Sequence, residues 1–251
     1  MKQATVRLYG ALEDFLAPAQ RGAELTPAFT GSPSVKDLLE SLGVPHPELD
    51  VVLLDGHPVG LDARVEDGSR IAAYPAFTQL DVPPTQRVAP SLPAELRFVV
   101  DVGLGRLAGL LRMLGLDALW RNDAKDAELA RLSSSEQRIL LTRDVGLLKR
   151  SEVVHGYYPR ATDPSHQLIE VVRRFRLAER MRPFTRCLAC NTPLLPAALE
   201  AVRERVPPRV AATFHRFRTC PTCQRVFWEG SHHARMERVV QRMRELVGAS
   251  G

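Results

Sequence analysis

The chain has 251 residues, of which 45% are hydrophobic, and it carries a formal net charge of +5 at pH 7. This length favours two compact domains and a smaller one. No apolar run approaches the length of a membrane-spanning helix, and residues 1–9 lack the apolar core of a secretory signal. The composition therefore excludes a membrane-spanning protein and favours the reducing cytoplasm.

The charge is distributed unevenly along the chain. Residues 1–90 carry a net charge of −5, residues 91–149 carry +1 and residues 150–251 carry +9. The chain contains only four lysines, all of them before residue 150, so the basic groups of the last section are all arginines. An arginine-biased composition would explain this choice of residue but not the gradient. We therefore predict a polyanionic partner for the C-terminal half, because arginine suits bidentate contacts with phosphate.

The first 80 residues show the pattern of a small mixed sheet on one helix. Residues 5–9 alternate between polar and apolar as a half-buried strand does, and Ser34 to Asp37 forms a capping box. The helix that follows is predicted to end at Gly43. Further strands are predicted at 51–54 and 70–74, each beside a turn dipeptide.

Residues 51–59 and 65–75 of this segment resemble the ubiquitin-like β-grasp family, particularly its sulfur-carrier branch. True carriers end in a free Gly-Gly, whereas here Pro75, Ala76, Phe77 and Thr78 take that place and the chain continues. The resemblance therefore implies an interaction module, or a cover over the next domain, rather than a thiocarboxylate carrier. We place this β-grasp domain at residues 1–80.

A proline-rich stretch separates this domain from the rest of the chain. Residues 81–93 contain four prolines and show neither a helical period nor strand alternation. Proline lacks the backbone N–H and restrains the residue before it. The stretch 81–94 is therefore predicted to be an extended, semi-rigid linker.

The pattern after the linker is that of an α/β domain. A strand with little polar content covers 96–100 and ends at Asp101, and a leucine-rich helix covers 106–114. Strands are further predicted at 116–120 and 138–142, with a helix at 126–132 between them. Alternating strands and helices predict a parallel sheet, in which functional residues lie beyond the carboxyl ends of the strands.

Acidic residues follow these strands. Asp101 and Asp144 come directly after predicted strands, and Asp126 and Glu128 lie in the first turn of the intervening helix. Carboxylates brought together at one edge would repel each other, which favours a bound Mg²⁺ or Mn²⁺. Each acid also has a structural interpretation, since Asp144 suits a helix N-cap and Asp126 and Glu128 suit the helix dipole. Asp123 could join the metal site or only form a turn.

Basic residues flank the same edge of the predicted sheet. These residues suit contacts with phosphate, although each alone could be an ordinary solvated charge. They are Arg106, Arg143, Lys149 and Arg150.

Residues 96–148 resemble the PIN-like ribonuclease family named for the C-terminal region of the Mut-seven exonuclease. The resemblance is carried by residues 98–108 and 139–144. It implies a PIN-like domain at 95–180 that hydrolyses RNA with a metal ion, followed by a zinc ribbon and often preceded by a β-grasp domain. It implies that Asp101 is the first acid of the catalytic site and Asp144 the last. The middle acid falls at Asp126 and Glu128, and the resemblance does not choose between them.

The four cysteines form two CxxC pairs, Cys187 with Cys190 and Cys220 with Cys223, separated by 29 residues. This spacing predicts one tetrahedral structural Zn²⁺, with disulfide or redox use as the competing interpretation. We therefore predict a zinc ribbon with a C-terminal helix at residues 181–251. Within it the pattern predicts strands at 193–195 and 225–228 and helices at 197–205 and 235–247.

The end of the ribbon holds aromatic and imidazole groups. The stretch from Cys220 to His233 resembles the same family. Phe227 and Trp228 could stack on bases, or they could fill the small core of the ribbon. His232 or His233 could replace a cysteine at zinc, but four thiolates already complete such a site.

The patterns predict an α/β multidomain protein with Zn²⁺ as a structural ion, and the resemblance implies that it hydrolyses RNA with Mg²⁺ or Mn²⁺ as the catalytic ion. The arginine-rich ribbon would hold the RNA backbone without reading its sequence. Two alternatives remain open. One is a non-catalytic RNA-binding or RNA-processing accessory protein with a degenerate acidic site. The other is a scaffold in which the β-grasp domain binds a protein partner.

Overall fold

The structure is a computed structural model that describes residues 1–77 and 82–248 of the chain. Residues 78–81, where the predicted β-grasp domain meets the predicted linker, and the last three residues of the predicted ribbon lie outside this described part. Two compact units divide the chain. Unit 1 combines Met1–Glu95 with Lys125–Tyr158, and unit 2 combines Leu96–Ala124 with Pro159–Gly251. The predicted domain boundaries stay predictions.

The strands and helices of the described residues are numbered here in chain order. The strands are β1 (Lys2–Gln3), β2 (Thr5–Leu8), β3 (Ala28–Phe29), β4 (Val51–Leu54), β5 (His57–Pro58), β6 (Arg70–Tyr74), β7 (Arg97–Val100), β8 (Asp117–Leu119), β9 (Ile139–Leu141), β10 (Gly156–Tyr157), β11 (Leu195–Ala197), β12 (Phe217–Thr219) and β13 (Val226–Trp228). The helices are α1 (Val35–Ser41), α2 (Gly105–Met113), α3 (Asp126–Ser135), α4 (Val145–Leu148), α5 (Pro164–Arg174), α6 (Leu199–Val202), α7 (Pro208–Thr213) and α8 (Ser231–Gly248).

Unit 1 begins with the predicted mixed sheet, which has the strand order β2-β6-β4-β5. β2 and β6 are parallel, and β4 is antiparallel to both of its neighbours. The predicted capping box is confirmed, because the Asp37 amide donates to Ser34 Oγ at 3.0 Å and the Ser34 amide donates to the Asp37 carboxylate. These contacts with Ser34 lower the pKa of Asp37. Helix α1 buries Val35, Leu38 and Leu39 in the core of the sheet.

Part of the proline-rich stretch is attached to this sheet, unlike the extended linker that was predicted. Pro84–Gln86 forms a 3₁₀ turn, and the amide of Val88 donates to the Asp50 carbonyl at 2.8 Å. Both carboxylate oxygens of Asp50 accept from Arg87 Nη1, at 3.0 and 3.2 Å. The Asp50 side chain is only 3% exposed. Arg87 thus neutralises a buried charge that no local sequence pattern reveals.

We predict that Arg87→Met lowers the free energy of unfolding by about 3 kcal/mol, because it leaves a buried carboxylate without a counter-charge. Urea denaturation followed by circular dichroism measures the change. Arg70→Met is the matched control, since Arg70 pairs with Glu24 at 3.0 Å on the exposed surface. The control should change stability by less than about 1 kcal/mol. Equal effects of the two substitutions would contradict this assignment.

The second stretch of unit 1 contains the parallel pair β9 and β10, in which Leu140 pairs with Gly156. This stretch is hydrogen bonded to the N-terminal sheet domain. Lys149 Nζ donates to the Glu40 carbonyl at 2.6 Å, and the Tyr158 amide donates to the Glu48 carboxylate at 2.6 Å. His46 contacts the Val153 carbonyl at 2.8 Å. The N-terminal domain therefore packs directly against the residues that follow Asp144.

Unit 2 contains the parallel pair β7 and β8, which confirms the parallel character predicted for this part of the chain. Helix α2 places Leu107 and Leu111 in the core, and α5 does the same with Leu168 and Val171. Helix α5 was not predicted from the sequence. Its signal was nevertheless present, because the Asp163 side chain accepts hydrogen bonds from two backbone amides and Pro164 is the first helical residue.

The ribbon part of unit 2 is an antiparallel sheet with the order β11-β12-β13. The predicted strand at 193–195 lies two residues later, at Leu195–Ala197, and β12 was missed. The predicted helix at 197–205 is only α6 followed by a 3₁₀ turn, and the helix α7 begins anew at Pro208. Proline at this position starts a helix readily but cannot continue one.

Candidate metal centre and acidic residues

The four cysteines converge in unit 2. Their sulfur atoms all lie within 4.8 Å of one another. Cys187 Sγ lies 3.5 Å from Cys223 Sγ, and Cys190 Sγ lies 3.3 Å from Cys220 Sγ. A tetrahedral Zn²⁺ with Zn–S distances of about 2.3 Å separates its sulfurs by about 3.8 Å, so the set fits one zinc ion. All four thiols are free, which does not support the disulfide interpretation.

Each CxxC pair is held in a tight turn by the backbone. The Asn191 amide donates to the Cys187 carbonyl at 2.9 Å, and the Gln224 amide donates to the Cys220 carbonyl at 3.0 Å. Asn191 and Gln224 are the residues directly after the second cysteine of each pair, and both have a positive φ, of 70° and 59°. The two turns thus have the same construction, which directs each pair of thiols toward the other.

The thiols differ in their acidity. Burial raises the pKa of Cys187 to about 12. Burial acts in the same direction on Cys190, but the hydroxyl and amide of Thr192 and the thiols of Cys220 and Cys187 outweigh it and lower the pKa of Cys190 to about 6. The cluster therefore holds a readily ionised thiol, and the thiolate is the form in which cysteine binds a metal.

Arg112 fastens the first CxxC turn to β8. It is 3% exposed, and its Nη1 donates to the carbonyls of Leu188 and Ala189 at 3.1 and 2.9 Å. Its Nε donates to the Ala118 carbonyl at 2.8 Å. Burial lowers the pKa of Arg112, while the nearby Cys187, Cys190 and Asp117 oppose this shift. A buried guanidinium thus lies beside the cysteines, where it offsets the charge of thiolates.

Asn191 makes a second connection between the first CxxC turn and β8. Its Oδ1 accepts from the Ala118 amide at 3.1 Å, and its Nδ2 donates to Asp117 Oδ1 at 2.8 Å. Sequence reasoning missed both Arg112 and Asn191. A polar residue within the leucine-rich helix was the only available signal for Arg112.

We predict that Arg112→Met destabilises the protein by about 3 kcal/mol, because several buried carbonyls lose their donor. The same substitution should speed the transfer of zinc to a colorimetric chelator, since the first CxxC turn is no longer fastened. Arg121→Met, which removes a surface arginine, is the control and should change neither measurement. An Arg112→Met protein with normal stability and normal zinc transfer would show that the guanidinium has no such role.

The predicted acids occupy distinct structural positions. Asp101 ends β7 and is the N-cap residue of a 3₁₀ turn, Val102–Leu104, without a capping hydrogen bond from its side chain. Asp144 is the N-cap of α4, and its Oδ1 accepts from the Leu147 amide at 3.0 Å. The capping interpretation of Asp144 is thus confirmed. Asp126 and Glu128 lie in the first turn of α3.

These residues are divided between the two units. Unit 2 contains Asp101, Asp123 and Arg106, and unit 1 contains the other predicted acids and bases. Asp123 forms an exposed ion pair with Arg121 at 3.1 Å, which supports its interpretation as a turn residue. The assignment of the acids to catalysis and to Mg²⁺ or Mn²⁺ stays a prediction.

The predicted phosphate-binding residues differ in the contacts that their side chains make within the protein. Arg106 is exposed and makes no ion pair or side-chain hydrogen bond within the described residues. Arg143 lies over the ring of Tyr158, 5.7 Å from its centroid. Arg150 pairs with Glu152 at 3.3 Å, and Lys149 is bonded to Glu40 as described above. Arg106 is thus the most available of the four for a ligand.

The aromatic residues of the ribbon pack in its small cores. Phe227 packs with the cysteines and Leu194, whereas Trp228 packs on the other side with Phe217 and Val202. Both are half-buried, which supports the core-filling interpretation. The ring of His233 lies 4.2 Å from that of Phe184, while the side chain of His232 lies outside the described part. The cysteine set is complete without either histidine.

No helix in the described part of the chain has the length and apolar character needed to cross a membrane. Comparison with family models finds two matches in the order expected from the sequence. Residues 1–81 match the model described as Mut7-C ubiquitin, and residues 96–240 match the Mut7-C RNAse domain. No curated protein and no solved structure matches the chain. The chain belongs to the Mut7-C RNAse domain family, and a ubiquitin-like domain of the Mut7-C type precedes its RNAse domain.

Proposed function

We propose that the protein is a metal-dependent ribonuclease that hydrolyses RNA phosphodiester bonds with the acids of a PIN-like α/β domain. The observation that carries this proposal is the match to the Mut7-C RNAse domain, which spans every predicted catalytic residue. In this proposal Asp101 and Asp144 bind Mg²⁺ or Mn²⁺ together with one or both of Asp126 and Glu128. The divalent ion, when bound, activates water and neutralises charge on the phosphodiester.

The local structure of the acids supports these roles. Asp101 ends β7 and stands at the N-cap position of the 3₁₀ turn Val102–Leu104. Asp144 gives one oxygen to the Leu147 amide, which orients the carboxylate and leaves Oδ2 as a ligand atom. Asp126 and Glu128 both lie in the first turn of α3.

Basic residues would hold the RNA backbone in this proposal. Arg106, Arg143, Lys149 and Arg150 remain candidate phosphate contacts, and the net charge of +9 over residues 150–251 adds a wide positive field. Exposed arginines of the ribbon include Arg216, Arg218 and Arg225. Such contacts do not read sequence. We place this activity in the cytoplasm, where four free thiols remain reduced for zinc.

Incubation of end-labelled single-stranded RNA with zinc-loaded protein tests the proposal. Cleavage is expected with added Mn²⁺ or Mg²⁺ and not without them. RNA affinity, measured by fluorescence anisotropy without those ions, should fall about 50-fold between 50 and 200 mM salt if four phosphates are neutralised. Salt-sensitive binding without cleavage in either metal would favour the accessory protein. The absence of both RNA binding and RNA cleavage would favour the scaffold.

A further inference from the structure

A cleft of about 460 Å³ opens in unit 2 directly after Asp101. We propose that this cleft binds one nucleotide of the RNA strand, with the base on Trp120, the phosphate on Arg106 and the sugar hydroxyl on Gln167. The inference rests on the proposed function and names a substrate site for it. Its lining includes Gly105, Arg106, Trp120 and Gln167.

Trp120 provides a fixed aromatic surface in this cleft. Its indole N–H donates to the Val102 carbonyl at 3.2 Å. The ring lies so close to Gly105 that a Cβ there would stand 2.6 Å from Cζ2 and 2.8 Å from Cε2. Gly105 therefore permits the ring to lie against the start of α2. A half-buried ring held in this way is suited to stacking with a base, which is sequence-tolerant.

Arg106 supplies the positive charge. Its side chain is exposed at the cleft and has no ion pair or side-chain hydrogen bond in the part of the chain that the structure describes. A guanidinium in this state can form a bidentate contact with a phosphate without first breaking another contact. Asp101, a candidate catalytic acid, comes five residues earlier in the chain, before the 3₁₀ turn that leads into α2.

Gln167 adds a polar group whose amide oxygen has no hydrogen-bond donor within the described residues. The residue is 4% exposed and lines the cleft. Its Nε2 donates to the Ala161 carbonyl at 2.9 Å, and this contact fixes the orientation of the amide because a carbonyl can only accept. Oε1 accepts no hydrogen bond within the described residues. It is thus placed to accept from a hydroxyl, and the 2′-hydroxyl distinguishes RNA from DNA.

Quenching of Trp120 fluorescence tests the cleft directly. The chain has two tryptophans, so Trp228→Phe leaves Trp120 as the only reporter. A uridine hexanucleotide is titrated into this zinc-loaded protein without Mg²⁺ or Mn²⁺, beside its deoxy equivalent. Saturable quenching is expected, with tighter binding of the RNA. Binding of RNA without quenching, or equal affinity for RNA and DNA, would overturn the proposal.

Substitutions at three positions test the roles proposed for the residues of the cleft. Arg106→Gln should weaken RNA binding about tenfold, whereas Arg121→Gln, outside the cleft, should not. Gln167→Met should reduce the preference for RNA over DNA. Gly105→Ala should displace the ring and abolish quenching. Normal affinity of Arg106→Gln, a surface variant that should fold, would contradict the proposal.

The outcomes separate this inference from the proposed function. Metal-dependent cleavage of RNA without quenching of Trp120 would support the ribonuclease activity and contradict the proposed nucleotide site in the cleft. Quenching with the expected variant effects, but without cleavage in Mn²⁺ or Mg²⁺, would support the cleft as an RNA-binding site and contradict the proposed ribonuclease activity.

Discussion

Removal of zinc is expected to unfold the ribbon of unit 2. The four sulfurs lie within 4.8 Å of one another, and the surrounding cores are small. Structural zinc in comparable small modules contributes an apparent free energy of folding of about 10–16 kcal/mol, which is comparable to the whole free energy of unfolding of a typical domain. Treatment with a strong chelator should therefore abolish the thermal transition of the ribbon and expose its aromatic residues to solvent. Scanning calorimetry and tryptophan fluorescence measure this loss.

Single substitutions and a reductant distinguish a zinc site from a disulfide. Cys220→Ser should release zinc and reproduce the effect of the chelator, whereas Thr222→Ala, between the two cysteines of the second pair, should retain the metal. The affinity for zinc should fall as pH falls, because protons compete for the thiolates. A reductant should not change the melting temperature. A ribbon that melts normally without zinc, or that reductant destabilises, would contradict the zinc site.

Local patterns in the sequence predict much of the fold because each depends on neighbouring residues. The capping box of Ser34 and Asp37 and the two CxxC turns are contained within a few positions, and the structure shows them as predicted. Gly115 follows the helix that was predicted at 106–114. Its φ is 82°, and a Cβ at Gly115 would overlap the Arg182 carbonyl, a contact that no local pattern contains.

Features that depend on distant residues could not be predicted in this way. Arg112 donates to carbonyls more than seventy positions away. The cleft after Asp101 likewise combines Trp120 with Gln167, and neither residue carries a motif. For the acids, the sequence predicted two compatible roles for Asp144, and the structure confirms only the capping role. The cysteine site was more predictable because zinc requires a fixed set and spacing of ligands.

Asp144→Asn is expected to abolish RNA cleavage while leaving the fold intact. Asparagine caps helices as well as aspartate does, so the bond from the Leu147 amide should survive. The substitution removes the negative charge that a divalent cation needs. Because such an ion supplies several kcal/mol of transition-state stabilisation, the rate should fall by about a thousandfold or more. Asp101→Asn should have the same effect.

Asp163→Asn provides the matched control for both substitutions. Asp163 also caps a helix and accepts from the amides of Ser165 and His166, but it has no predicted role in catalysis. Its substitution should leave cleavage unchanged. Circular dichroism and RNA affinity should be normal in all three variants, which separates a loss of chemistry from a loss of fold or of binding.

The most direct test of the ribonuclease is the rate of RNA cleavage in Mn²⁺ by the wild-type protein and by Asp101→Asn/Asp144→Asn, purified in parallel. The account predicts cleavage by the wild-type protein and none by the double variant, with equal affinity of the two proteins for RNA. Equal cleavage by the two proteins, or no cleavage by either, would contradict the assignment of a metal-dependent ribonuclease to these acids.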